Sequence, residues 1–267
     1  MTRLMKFYAV LMIAFLPSLT TAAGSSAAGE TNFPADEVAT FANRVQNDLA
    51  SRGVSVAIVA RIGRDPAQIP DGIRYTHLGF FVYSTITLPD GSTGQGYRVY
   101  NLYQRGGEPT VSDLVQDSPA EFFAGAKRLD AGIIIPDPKL QRKLLGVINS
   151  PTYAALHNPR YAVLANPRSN QFQNSNEHVL NVLMAAIYNT GSLAQIKANI
   201  TAYFDPQVVA ITGLKRAFAP LASAALTTQD HGPVIATTTF GAVSRFMDSY
   251  DLTSQTYRIT PTSVSRF

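Results

Sequence analysis

Arg74-Tyr75-Thr76-His77-Leu78-Gly79-Phe80-Phe81-Val82-Tyr83-Ser84 reads as a strand that is apolar on both faces. Successive side chains of a strand point to opposite sides. Tyr75, His77, Gly79 and Phe81 therefore fall on one face, and Thr76, Leu78, Phe80 and Val82 on the other. A strand covered on both sides belongs in the middle of a sheet with further layers above and below. Downstream, Pro89-Asp90-Gly91 with Gly94 and Gly96 reads as hairpin punctuation, because it does not lead from a strand into a helix as a phosphate loop does. The returning strand, Gly96 to Arg105, carries Val99, Asn101 and Tyr103 on one face. Upstream, Val54 to Ile62 is a β-rich apolar run. It follows a helix over Asp36 to Arg52, in which Val38, Phe41, Ala42, Val45 and Leu49 form the stripe and Gly53 the stop.

The same signals continue toward the C-terminus. Helices are predicted at 119–127, 138–148, 175–188 and 192–204. Strands are predicted at 131–135, 235–240 and 256–259, and residues 150–174 read as loop apart from Tyr161 to Ala165. Helices mixed with a largely hairpin-linked sheet define the α+β class.

Bulk composition agrees with a folded domain. Of 267 residues, 46% are hydrophobic and only 15% charged, which excludes disorder by composition. There is no cysteine, so disulfides, thiol nucleophiles and cysteine metal sites are excluded. Arg3 and Lys6, the apolar run Phe7 to Leu16, Pro17 and then Thr20-Thr21-Ala22-Ala23 have the layout of a secretory signal. The run is much shorter than the ~20 residues of a spanning helix. Residues 1–23 are thus expected to be a cleaved signal, 24–34 a Gly/Ser/Ala-rich lead-in, and 35–267 one domain, exported to the periplasm or secreted with no membrane span. Cleavage removes two basic and no acidic residues, which lowers the net charge from +4 to +2. With no dense Lys/Arg run, nucleic-acid binding has no support.

Two elements carry candidate chemistry. Asn174-Ser175-Asn176-Glu177-His178 opens the 175–188 helix, with Asn174 as N-cap, Glu177 completing an Asn-x-x-Glu capping box and Ser175 in the first helical position. Backbone N–H groups at a helix start favour a developing negative charge, so a hydroxyl there suits a nucleophile, provided that a base is near. His77 is the candidate base, and Asn101, on the neighbouring strand, is placed to orient its ring. The alternative for each is structural: Ser175 as a helix-start residue, His77 as a hydrogen-bonded core histidine, Asn101 as a buried amide. The amides of Arg168-Ser169-Asn170-Gln171-Phe172-Gln173 either donate to an oxyanion or satisfy their own loop. His178 is expected at the surface, and Asp230-His231, adjacent before a strand, has poor ligand geometry. No metal or cofactor is expected.

Ala60-Arg61-Ile62-Gly63-Arg64-Asp65, Arg74 to Phe80, Leu156-His157-Asn158-Pro159-Arg160-Tyr161 and Gln173-Asn174-Ser175-Asn176 together resemble a bacterial exported family, domain of unknown function 2145. The resemblance covers most of the chain after the leader and implies no activity. A wider resemblance is to circularly permuted papain-like proteins of the NlpC type, where a Thr-His-hydrophobic-Gly strand precedes an Asn-Cys-x-x helix start. It implies a papain-like core with an antiparallel sheet packed on helices, plus a C-terminal extension. In that layout His77 matches the base, Asn101 loosely matches the third polar position, and Ser175 stands where the family carries its cysteine. Two functions follow as expectations. One is an exported hydrolase or acyl-transfer enzyme acting on amide or ester bonds of cell-wall peptides or lipids, in which Ser175 attacks, His77 takes its proton and Asn101 orients His77. The other is an inactive module on the same scaffold that binds an envelope peptide or protein. The enzyme requires the Ser175 hydroxyl near a ring nitrogen of His77.

Overall fold

Residues 31–87, 90–211 and 223–267 are described by a computed structural model. The predicted leader, most of the lead-in and Pro89 lie outside them. The centre is a seven-stranded antiparallel sheet in the order β4-β3-β2-β1-β5-β8-β9. Its strands are β1 (Val56–Ile62), β2 (His77–Thr87), β3 (Thr93–Arg105), β4 (Glu108–Asp117), β5 (Arg128–Pro136), β8 (Thr253–Ile259) and β9 (Val264–Arg266). A separate two-stranded ladder pairs β6 (Gln207–Val208) with β7 (Ala236–Thr237). The molecule is a mixed helix-and-strand fold built on one large antiparallel sheet.

Helices cover both faces of that sheet. On one side, α1 (Ala35–Ser51) and α2 (Pro119–Ala124) pack Phe41, Val45, Phe122 and Phe123 onto Val59, Phe81, Val99 and Ile133. On the other lie α3 (Pro138–Ile148), α4 (Pro151–Ala155), α5 (Ser175–Tyr188), α6 (Leu193–Tyr203) and α7 (Phe240–Ser249). They bury Leu144, Val179, Leu180, Leu183, Ile196 and Val243 against Ile58, Leu78, Phe80, Val82 and Ile134. Each such aliphatic side chain removed from water contributes about 1.5–3 kcal/mol. β2 is central, as its doubly apolar sequence requires.

Several expectations need correction. Tyr75 does not share a face with His77. β2 begins at His77, and the Tyr75 ring turns to the α7 side, 5.0 Å from Phe240 edge to face. β4 has no sequence signal because it is the sheet edge, where Ser112, Asp113 and Gln116 break the apolar alternation. The predicted strand at 235–240 shrinks to Ala236–Thr237, because Thr239 accepts a hydrogen bond from Ala242 N at 3.1 Å and caps α7. Ser150 and Pro151 likewise start α4 inside the predicted loop. Helix α5, read as one-faced, is buried from Ser175 through Ala186, because it lies between the sheet, α3 and α6.

Gly132 shows how tightly the α7 side is packed. A Cβ there would sit 2.7 Å from Tyr75 Cε2 and 2.9 Å from Phe240 Cζ. Gly132→Val is expected to lower stability by about 1–3 kcal/mol, read from the midpoint of urea unfolding.

Candidate functional site

His77 opens β2 and Asn101 lies on β3, brought beside it by antiparallel pairing in which Phe80 faces Tyr100. His77 Nε2 lies 3.1 Å from Asn101 Oδ1. Asn101 Nδ2 donates onward to Asp117 Oδ2 at 3.2 Å, and Tyr103 Oη donates to the same oxygen at 2.6 Å. With the amide nitrogen spent as a donor, Asn101 Oδ1 accepts, so the neutral ring carries its proton on Nε2. The ring stacks on Tyr103 with centroids 5.0 Å apart and an interplanar angle of 12°, and it leans on Phe122 at 5.6 Å.

Arg61 is fully buried beside this chain. Its Nη1 donates to the Phe122 carbonyl, and its guanidinium lies 5.2 Å from the Phe122 ring centroid and 5.6 Å from that of Tyr103. Burial, and then the Arg61 charge, hold the His77 imidazole well below its usual value, so it is neutral at physiological pH. Burial raises the Asp117 carboxyl, with the bonds from Tyr103 and Asn101 opposing it. Asp117 forms part of the wall of a cleft of about 520 Å³ shared with Asn43, Gln46, Arg98 and Ser118. Sequence reasoning missed Arg61, Tyr103 and Asp117. Two signals were available: an arginine inside the apolar run Val54 to Ile62, and Tyr103 on the same strand face as Asn101.

Ser175 is elsewhere. It occupies the first position of α5, with Asn174 as N-cap accepting from Glu177 N at 3.0 Å. The Ser175 hydroxyl donates to Asn176 Oδ1 at 3.3 Å, and Asn176 Nδ2 donates to the Thr238 carbonyl. Helix α5 packs on the face of β2 that carries Leu78, Phe80 and Val82. His77 points to the other face with Gly79 and Phe81. A Cβ on Gly79 would lie 3.2 Å from both Asn101 and Phe122. The structure therefore unites His77 with Asn101 and does not bring Ser175 to them. The expected Ser175–His77 hydrogen bond is corrected: the period of two along β2 directs His77 into the α2 layer, while α5 lies across the sheet.

The other polar residues of this region stabilise the structure. Half of the expected capping box forms, because the Glu177 carboxylate turns inward to Lys197 Nζ instead of to Asn174. Burial, opposed by the Lys197 charge, raises Glu177 to about 7. His178, expected at the surface, is only 1% exposed and meets Tyr153 edge to face at 4.8 Å. Burial, and then neighbouring His157, push it down to about 3. Gln173 spends its amide on the loop, donating to the Leu156 carbonyl and accepting from Asn158 N. His231 Nε2 lies 2.6 Å from the Leu164 carbonyl, and Asp230 Oδ2 accepts from Asn166 N.

A hydrogen-bonded serine–histidine pair does exist: Ser112 Oγ and His157 Nε2 are 3.1 Å apart. Ser112 is inaccessible, and its backbone N–H donates to the Pro159 carbonyl at 2.9 Å. With the bridge between Val111 and Arg160, this pair ties the 157–161 loop to the edge strand and presents no nucleophile to solvent. Among the described residues no single helix is long and apolar enough to cross a membrane.

The profile of a bacterial family described as uncharacterized protein conserved in bacteria, DUF2145, matches residues 48–247. That span holds every element from β1 to α6 and all the residues of the His77 chain. No curated protein and no solved structure matches the chain.

Proposed function

The chain belongs to the bacterial family DUF2145, and we propose that it is an exported, non-catalytic module that binds a peptide of the cell envelope. The observation that carries this reading is the separation of Ser175 from His77 by the sheet. A serine hydroxyl has too high a pKa to attack without a base within hydrogen-bond reach. Ser175 has Asn176 as its partner, and an amide oxygen is no general base. Export rests on the leader-like N-terminus.

One observation favours the hydrolase as a second reading. The Nε2–H to Asn101 bond leaves the Nδ1 lone pair of a neutral imidazole available, as a general base requires. A fluorophosphonate probe with mass spectrometry decides between the two. The binding module predicts no labelled serine and no turnover of cell-wall peptides or model esters. Labelling of Ser175 that disappears in His77→Ala would overturn it. In the same reading Ser175→Ala changes stability by less than about 1 kcal/mol, since its hydroxyl makes one long hydrogen bond. Asn174→Ala costs about 1–2 kcal/mol, because that side chain both caps α5 and donates to the Val163 carbonyl at 3.0 Å. Chemical unfolding of the two variants measures the contrast.

A further inference from the structure

A small cleft beside β5 and β8 has a charge imbalance that the fold does not resolve. It has a volume of about 230 Å³. Ile62, Pro66, Ile69 and Ile73 provide its apolar wall, and Arg74, Arg128, Arg258 and Asp130 its charged one. Asp130 is already committed. Arg258 holds it with two parallel bonds, Nε to Oδ1 at 2.8 Å and Nη2 to Oδ2 at 2.7 Å, and Tyr75 Oη donates to Oδ1 at 2.8 Å. Arg74 and Arg128 are exposed and make no ion pair among the described residues. Two guanidinium groups thus face one cleft with no carboxylate left for them.

We propose that this cleft binds the C-terminal carboxylate of a short peptide, with Arg74 and Arg128 holding the carboxylate and the Ile62–Ile69–Ile73 wall taking a small apolar side chain. This rests on the binding-module reading and names its ligand chemistry. A guanidinium presents paired N–H donors that match the two oxygens of a carboxylate. The adjoining apolar wall requires a carbon body on the anion, which a bare phosphate lacks. The volume is smaller than that of drug-sized pockets, so the ligand segment is one or two small residues. Arg74 is also on the wall of a neighbouring cleft of about 320 Å³, where the Phe267 ring packs against Tyr75 and Phe240.

The test is calorimetric titration of the full chain with N-acetyl-alanyl-alanine, its C-terminal amide and inorganic phosphate. The acid is expected to bind, and the amide at least about tenfold more weakly, since the guanidiniums then lose their charged partner. Arg74→Gln and Arg128→Gln are each expected to weaken the acid by about tenfold or more without moving the thermal midpoint, since both side chains are exposed. Equal affinity for acid and amide, tighter binding of phosphate, or no binding at all overturns the proposal. Unchanged peptide affinity in the double Gln variant overturns the cleft as the site while leaving a binding module standing. Labelling of Ser175 by the serine probe sinks the non-catalytic reading and leaves the titration result untouched.

Discussion

His178→Phe is expected to flatten the acid limb of the stability curve by about 2 kcal/mol between pH 6.5 and pH 4.5. The imidazole is buried in α5 against Tyr153, and its folded value is about 3 against an ordinary 6.5. In that window the unfolded chain takes up a proton that the folded chain refuses. The unfolded state therefore binds more protons, and stability falls as the pH falls. A phenylalanine of similar shape in this apolar site removes the linkage. Glu177 acts with the opposite sign. Its folded value of about 7 lies above its ordinary 4.5, so it stabilises the fold as the pH drops from 7 toward 4.5. It is present in both proteins and cancels in their difference. Urea midpoints at the two pH values, compared between wild type and variant, give the measurement. Parallel acid limbs would show that His178 is protonated in the folded state.

Phe122→Ala is expected to cost about 3–5 kcal/mol in guanidinium unfolding, the range for deleting a fully buried aromatic ring. Phe122 meets Phe81 edge to face at 5.3 Å and Phe123 at 5.1 Å, and it supports both Arg61 and His77. A second readout separates this position from any other core phenylalanine. Removing the ring admits water to His77 and relieves the burial that depresses its pKa. The His77 ring signals in an NMR titration should then move at a higher pH than in the wild type. A large stability loss with an unchanged His77 titration would mean that the α2 layer collapses onto the imidazole and keeps it dry.

The residues that deceive a sequence reading do so for a common reason. Ser175, Asn176 and Glu177 have the composition of a polar helix start, and His178 that of an exposed turn. All four are buried because α5 is enclosed by the sheet, α3 and α6, which no periodicity within 175–188 records. Thr237, Thr238 and Thr239 favour a strand by propensity, and the cap that Thr239 makes to Ala242 prevails. Tyr75 obeys the β period only if the strand starts before it, but β2 starts at His77, and Thr76 just ahead of it accepts from Gly63 N at 2.9 Å through its hydroxyl.

The amino-acid sequence by itself determined the central strand, its hairpin partner, the helices at 35–51, 138–148 and 175–188, and the pairing of Asn101 with His77. Those follow from local periodicity and from the geometry of one hairpin, both of which operate over a few residues. Tertiary structure alone decided that Ser175 and His77 are separated by the sheet, that Arg61 lies dry beside the imidazole, and that Arg74 and Arg128 share a cleft whose carboxylate is already taken. Each of these depends on which layer a side chain enters and which distant element meets it there. That choice is made by the burial of whole faces, and single positions in the sequence carry no record of it.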